Sequence, residues 1–485
     1  MKSVAATFFI LFFLLSVDGQ TSADLILINA NIRTLDERVP RAEALAVRDG
    51  RIIAVGKTND IRKLAGDKTR VVVGGGKLVI PGFNDAHVHL TGIGNKFSHL
   101  DLRDARDSRE VVDRITFFSS ILPKGRWILG GGLNLAPQHL GQNLPTLEQL
   151  DAVSGNNPLL IYFAGHKSAL VNSVALKLAK ITTTDSVISG ATGVRVRQQV
   201  PLDHERNWPE VVETASNYAA LLGVTSVQDV HSDDLAELLN TLVELGRLKT
   251  RVYDCVGIQH RQKAIAAGLK SAMGNAFVRG GCVKGLAEGT SDEIDELRTS
   301  ILESDRAGLQ VMIHAIGTRS NANVLDAFEK VIDKNGRRDR RFRIEHAARM
   351  KASDIARLSR FGIIASMQPH LFGAGSDDFR ALIDSGMMLA FGSDASITDF
   401  NPLLGIHAAV NSGSRSLTVE EAVRAYTLGS AYAEFQETKK GTLVVGKLAD
   451  FVVLSDDIFS IDSVKIKETK AIVTVVNGTV VFDPR

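Results

Sequence analysis

Residues 78–90 read LVIPGFNDAHVHL. An apolar run is broken by the turn signal Pro81-Gly82, and a second strand-like run follows, in which His87 and His89 flank a single residue. On a strand, alternate side chains share a face, so both imidazoles can point at one metal ion. The pair alone is a weak signal: 12 histidines in 485 residues supply about 0.3 such pairs by chance. What surrounds it decides.

Toward the C-terminus the pattern alternates between strand and helix. Candidate strands fall at 224–230, 251–258, 282–289, 309–317, 342–348, 361–369 and 387–395. The intervals carry helical periodicity, as in SDEIDELRTSILESDRAG, where Ile294, Leu297, Ile301 and Leu302 mark one apolar face. With the opening stretch this makes eight βα units and predicts an α/β fold, a TIM-type (β/α)8 barrel over 81–435.

More than a hundred residues separate His89 from Val224. Within them WILGGGL and PLLIYFAGH read as strands and LVNSVALKLAK as a helix, so 103–200 is expected to be a structured insertion after barrel strand 1. An insertion there emerges at the catalytic end of a barrel. A substrate lid is the functional reading, and a structural or oligomer-contact insert is the plain one. Both ends of the chain read instead as short strands, folded at Asp49-Gly50 and Asn477-Gly478.

Composition narrows the partners. Lys and Arg number 57 against 55 Asp and Glu, a net charge of +2, and 44% of residues are hydrophobic. That balance predicts a small-molecule substrate and no nucleic-acid partner; a homo-oligomer is left open. Lys2 precedes an uncharged stretch from Val4 to Val17, which reads as a secretory signal over 1–19 and predicts a secreted or periplasmic protein. The stretch falls short of the roughly 20 apolar residues that a membrane span needs. The two cysteines, Cys255 and Cys282, lie in apolar runs on neighbouring candidate strands. Buried free thiols are expected there, with a bridge as the alternative.

Further residues of metal-ligand type recur near the C-terminal ends of the candidate strands: Lys284 on the fourth, His314 on the fifth, His346 on the sixth and Asp394 on the eighth. Barrel active sites are built at that level. Together with PGFNDAHVH, AGHKSALVNSVAL, GVTSVQD, HAIG, RIEHA, GSDA followed by NPLLGIHAAV, and GTLVVGKLADFVVL, these residues resemble the amidohydrolase superfamily, and within it the family 3 (YtcJ-like) metal-dependent hydrolases. The likeness runs from about Ala23 to the C-terminus.

The resemblance implies a small β-sandwich domain formed by both termini, here 23–80 and 436–485, beside the barrel. It implies one or two divalent metal ions: His87, His89 and Asp394 at the more buried position, His314 and His346 at the second, and a carboxylated Lys284 bridging them. If Lys284 is unmodified, a single-metal centre follows. Zinc suits the nitrogen and oxygen donors, although manganese, iron and cobalt also bind such sets. The implied activity is hydrolysis of a non-peptide carbon–nitrogen bond, with Asp394 as the catalytic proton carrier. Deamination, lactone or ester hydrolysis, or isomerisation on the same site are alternatives, and a non-catalytic binding protein is a third. His166 and His370 are secondary candidates for contacting substrate. The chain departs from the family pattern at Thr318 and at Glu288-Gly289-Thr290, beside the expected site.

Overall fold

The computed structural model describes residues 22–133, 144–165, 167–201, 207–230, 235–288, 291–371 and 379–485. The expected leader over 1–19 and His166 lie outside the described residues.

Eight parallel strands form the barrel: β1 (Phe83–Val88), β2 (Val224–Val230), β3 (Arg251–Gly257), β4 (Val278–Leu286), β5 (Gln310–Ile316), β6 (Arg343–Ala348), β7 (Ile364–Met367) and β8 (Ala390–Phe391). They are hydrogen-bonded in sequence order, and a parallel bridge between Val88 and Ala395 brings the last back to the first. The helices cover the outside for the usual reason. In Thr318–Asn335, for example, Val324, Leu325, Phe328, Val331 and Ile332 are buried at spacings of three and four.

The strands differ from the sequence reading mainly at their ends. β4 begins four residues early, at Val278, because the short strand Met273–Gly274 folds back against it. Gly281 makes that possible: its φ is +87°, and a Cβ there would lie 1.8 Å from the carbonyl oxygen of Lys270.

The cysteines require a correction. Cys255 on β3 and Cys282 on β4 are not free thiols but are joined in a disulfide, with their Cα atoms 4.8 Å apart. Tyr253 pairs with Arg279 while Cys255 pairs with Cys282, so a one-residue slip in register sets the two cysteines opposite each other.

Strands from both ends of the chain share one six-stranded sheet, in which Phe451–Leu454 pairs antiparallel with Leu78–Pro81. It and a four-stranded sheet of N-terminal strands contribute Leu25, Leu27, Val47, Val79, Phe451 and Val473 to one buried cluster. Arg251 of β3 ties this part to the barrel through two hydrogen bonds to Asp450, at 2.7 and 2.9 Å. Between β1 and β2 lies a five-stranded sheet running from Leu100–Asp101 to Val187–Ser189. Phe97, Phe118 and Tyr218 pack edge to face and join the helix Ser108–Ile121 to Trp208–Leu221. Among the described residues, no helix is long and apolar enough to cross a membrane.

Candidate metal centre

β1 carries His87, fully buried, and is followed at once by His89, half exposed at the mouth. β8 reaches the same level on the other side of the closure. Gly392 permits the approach, since a Cβ there would lie 2.5 Å from the backbone nitrogen of His87. Two residues on, the backbone turns left-handed at Asp394 (φ +60°), whose N–H donates to the His87 carbonyl at 2.8 Å. A non-glycine residue held in that region costs about 1–3 kcal/mol and tends to mark a functional position. The turn brings Oδ1 of Asp394 to 3.4 Å from Nε2 of His87 and 3.2 Å from Nε2 of His89. Among the described residues, only His87, His89 and Asp394 bring three donor atoms within 4.8 Å of one another.

The other nitrogen of His87 is committed. Nδ1 lies 2.6 Å from Oε2 of Glu345, which is completely buried on β6. Arg343, two residues earlier and on the same face, donates to both Glu345 oxygens at 2.7 and 3.1 Å. It also donates to Gln228 Oε1, to Ala86 O and to Ser366 Oγ, so one guanidinium links β1, β2, β6 and β7. Burial would raise the Glu345 carboxyl, but the charge of Arg343 and the bond from His87 outweigh it and hold the group ionised.

His87 is pushed down to about 3, first by burial and then by the charge of Lys284, so its ring is neutral at physiological pH. A neutral ring that donates from Nδ1 to Glu345 presents a lone pair at Nε2. Asp394 is likewise ionised: burial raises it, and the hydrogen bond from His89 together with the nearby imidazoles brings it below the ordinary value. A nitrogen lone pair and a carboxylate oxygen therefore face each other across 3.4 Å with no proton between them. That arrangement fits a divalent cation, and the nitrogen and oxygen donor types suit zinc or a neighbouring transition metal.

The other expected ligands stand beside this group. The His314 and His346 rings are 4.3 Å apart, and His346 lies 5.0 Å from His87. His346 and Ala347 are both left-handed, at φ +70° and +49°, where β6 slips register against β5. Burial lowers both histidines, His346 to about 4. Oε1 of Glu288 lies 3.3 Å from Nε2 of His314. Lys284 extends from β4 with its amine lowered by burial, against the opposing pull of Glu345 and Asp394. His370 is turned elsewhere: its Nε2 lies 2.9 Å from Thr398 Oγ1 and 3.0 Å from Asp399 O, bracing the segment after β8.

Sequence reasoning passed over Glu345, Arg343 and Asp85. Oδ1 of Asp85 accepts from the backbone nitrogens of His87 and Ser393, at 3.1 and 2.9 Å, and burial lifts its carboxyl to about 7. The available signal was two opposite charges at i and i+2 in RFRIEHAA, a pairing that an otherwise apolar strand tolerates only when each charge has a partner.

The pattern that defines the amidohydrolase family matches residues 74–482, most of the chain. The chain belongs to the amidohydrolase family. This amidohydrolase is 32% identical to the protein LONG AFTER FAR-RED 3 of Arabidopsis thaliana, over 89% of this chain and 87% of that one. It is 26% identical to the N-substituted formamide deformylase of Arthrobacter pascens, over 95% and 98% respectively. In three dimensions it resembles an uncharacterized metal-dependent hydrolase from Pyrococcus horikoshii OT3, with a TM-score of 0.61 and 25% identity, covering 90% of this chain and 99% of the other. The amidohydrolase is thus a metal-dependent hydrolase of carbon–nitrogen bonds on a barrel whose strand ends carry the donor cluster.

Proposed function

We propose that this amidohydrolase cleaves a small, non-peptide amide at a zinc centre held by His87, His89 and Asp394, and that it works outside the cytoplasm. The observation that carries the reading is the Asp394 carboxylate oxygen set 3.2–3.4 Å from two imidazole nitrogens at the closure of the barrel. A divalent ion bound there supplies Lewis acidity, which acidifies water and polarises an amide carbonyl. The residues supply the rest. His87 holds its place through Glu345, and His314 and His346 offer further nitrogens on the neighbouring wall. Asp394, ionised and facing the same point, takes a proton on its carboxylate and returns it to the departing nitrogen.

Lys284 has a second task in this reading. A buried amine with a lowered pKa is more readily neutral, and a neutral Lys284 amine would add carbon dioxide and release a proton to give a carbamate, whose single negative charge is shared by two oxygens that could serve the metal centre. Carbon-13 bicarbonate labelling reads it directly, and an active enzyme that shows no carbamate signal leaves a single-metal centre.

An amide-like substrate is supported by the likeness to a formamide deformylase. The decisive experiment pairs metal analysis of protein never exposed to chelator with a turnover screen of N-acyl amines, N-acyl amino acids, cyclic amides and lactones. At least one equivalent of metal and amine release are expected; under half an equivalent of metal with no turnover would sink the proposal. Export is supported by the disulfide and by the apolar stretch from Val4 to Val17. Mass spectrometry of the protein isolated from its native source should find the chain beginning after Gly19 or Ala23.

A further inference from the structure

We propose that Asp85 is a positioning residue of the metal centre: one of its carboxylate oxygens ties together the backbones that carry His87 and Asp394 and so sets the separation of their donor atoms. The proposal rests on the reading of those two residues as ligands and adds what holds them in register. β1 and β8 close the barrel without a regular ladder. β8 ends at Phe391, and among the described residues a single parallel bridge, between Val88 and Ala395, joins the two segments. Buried backbone N–H groups along such a seam need acceptors from elsewhere, since leaving one unpaired is costly.

Asp85 supplies that acceptor twice over. Its Oδ1 accepts from the N–H of His87 at 3.1 Å and from the N–H of Ser393, the residue before Asp394, at 2.9 Å. The carbonyl of His87 accepts from the N–H of Asp394 at 2.8 Å. Both backbone groups of His87 are thereby tied to the Ser393–Asp394 segment, one directly and one through Asp85. From that backbone, Nε2 of His87 and Oδ1 of Asp394 reach to 3.4 Å of each other. The fit leaves no slack: a Cβ on Gly392 would lie 2.5 Å from the His87 nitrogen and 2.8 Å from Oδ1 of Asp85. Tyr426 steadies the same glycine, its hydroxyl donating to the Gly392 carbonyl at 3.2 Å. Asp85 is completely buried, and a carboxyl group is a costly way to fill buried space when an apolar side chain would do. Among the described residues its Oδ2 has no hydrogen-bond partner, so the two bonds to Oδ1 are what the group contributes.

The test reads ligand geometry and backbone protection rather than turnover. Cobalt(II) is titrated into the wild type, Asp85→Ala and Asp85→Asn in competition with a chromophoric chelator, and the visible absorption of the bound ion reports the arrangement of its ligands. Asp85→Ala is expected to lose about tenfold or more in cobalt affinity, as is typical when a group that orients ligands is removed, and to shift the absorption band. Asp85→Asn keeps an acceptor oxygen and should recover most of both. An alanine variant that unfolds at a lower temperature but binds cobalt with the wild-type affinity and spectrum would make Asp85 merely structural and overturn the proposal. Where the alanine variant does not fold, the asparagine variant decides. A folded asparagine variant with the loss expected of alanine overturns the proposal, because the acceptor is still in place. Hydrogen exchange of the metal-free wild type, resolved to single amides, needs no variant at all. The His87 and Ser393 amides should exchange as slowly as the paired amides of β1 and β2, and rapid exchange of either in an otherwise protected barrel overturns the proposal. A wild type that binds no cobalt while both amides stay protected would refute the metal centre and leave the tie through Asp85 standing.

Discussion

Oε2 of Glu345 lies 2.6 Å from Nδ1 of His87, and both side chains are sealed from solvent. The contact fixes which nitrogen of His87 carries the proton and leaves Nε2 facing Asp394. Partners of this kind typically govern metal affinity by 10- to 100-fold. Glu345→Gln is therefore expected to lower metal affinity by about that factor, measured by competition with a chromophoric chelator, while the barrel stays folded by circular dichroism. Unchanged affinity in the variant would show that the carboxylate only fills space.

Asp394→Asn separates the proton carrier from the donor. The amide oxygen still reaches toward His87 and His89, but it cannot take a proton at neutral pH. Turnover should fall by about 10²–10⁴-fold, the range expected for a lost general base, while much of the metal stays bound by atomic emission. Wild-type kcat in this variant would remove Asp394 from the proton path.

The chemistry of β1, β5, β6 and β8 was legible because those strands place their donors at one level in short, strongly patterned runs. What sequence could not supply was register. His-x-His says that two rings share a face, but only the closure of β8 on β1 at Gly392 brings Asp394 to them. The cysteine pair shows the same limit from the other direction. The strands bearing Cys255 and Cys282 were identified as neighbours, yet the one-residue slip that sets the sulfurs opposite each other has no local sequence signature. Glu345 was read as part of a motif rather than as a partner, because its role depends on a histidine 258 positions away.

The disulfide yields a stability prediction. It closes a loop with a sequence separation of 27 residues, for which chain entropy gives about 3.5 kcal/mol. Replacing both cysteines with alanine should lower the urea unfolding free energy by about 2–4 kcal/mol, and a reductant should have no further effect on that variant. A loss below about 0.5 kcal/mol would mean that the bridge adds little beyond packing.

Lys440 gives the pH dependence. Its amine is buried in the barrel floor, 2.6 Å from Oε1 of Glu434 and 2.5 Å from Oγ of Ser226, while Arg279 and Asn84 hold the same carboxylate. Burial lowers it to about 8 from an ordinary 10.5, and the pull of Glu434 only partly opposes this. Between those two values the folded protein binds fewer protons than the unfolded chain, so this group makes stability rise as pH increases from about 8 to 10.5. Below that window the full burial penalty applies. Other groups also titrate there, and subtracting the unfolding free energy of Lys440→Met at each pH removes their contribution. The wild-type minus variant difference should climb by about 2–3 kcal/mol between pH 7.5 and 10.5. A difference that stays flat would mean that Lys440 keeps its proton throughout, held by Glu434 more strongly than burial opposes it.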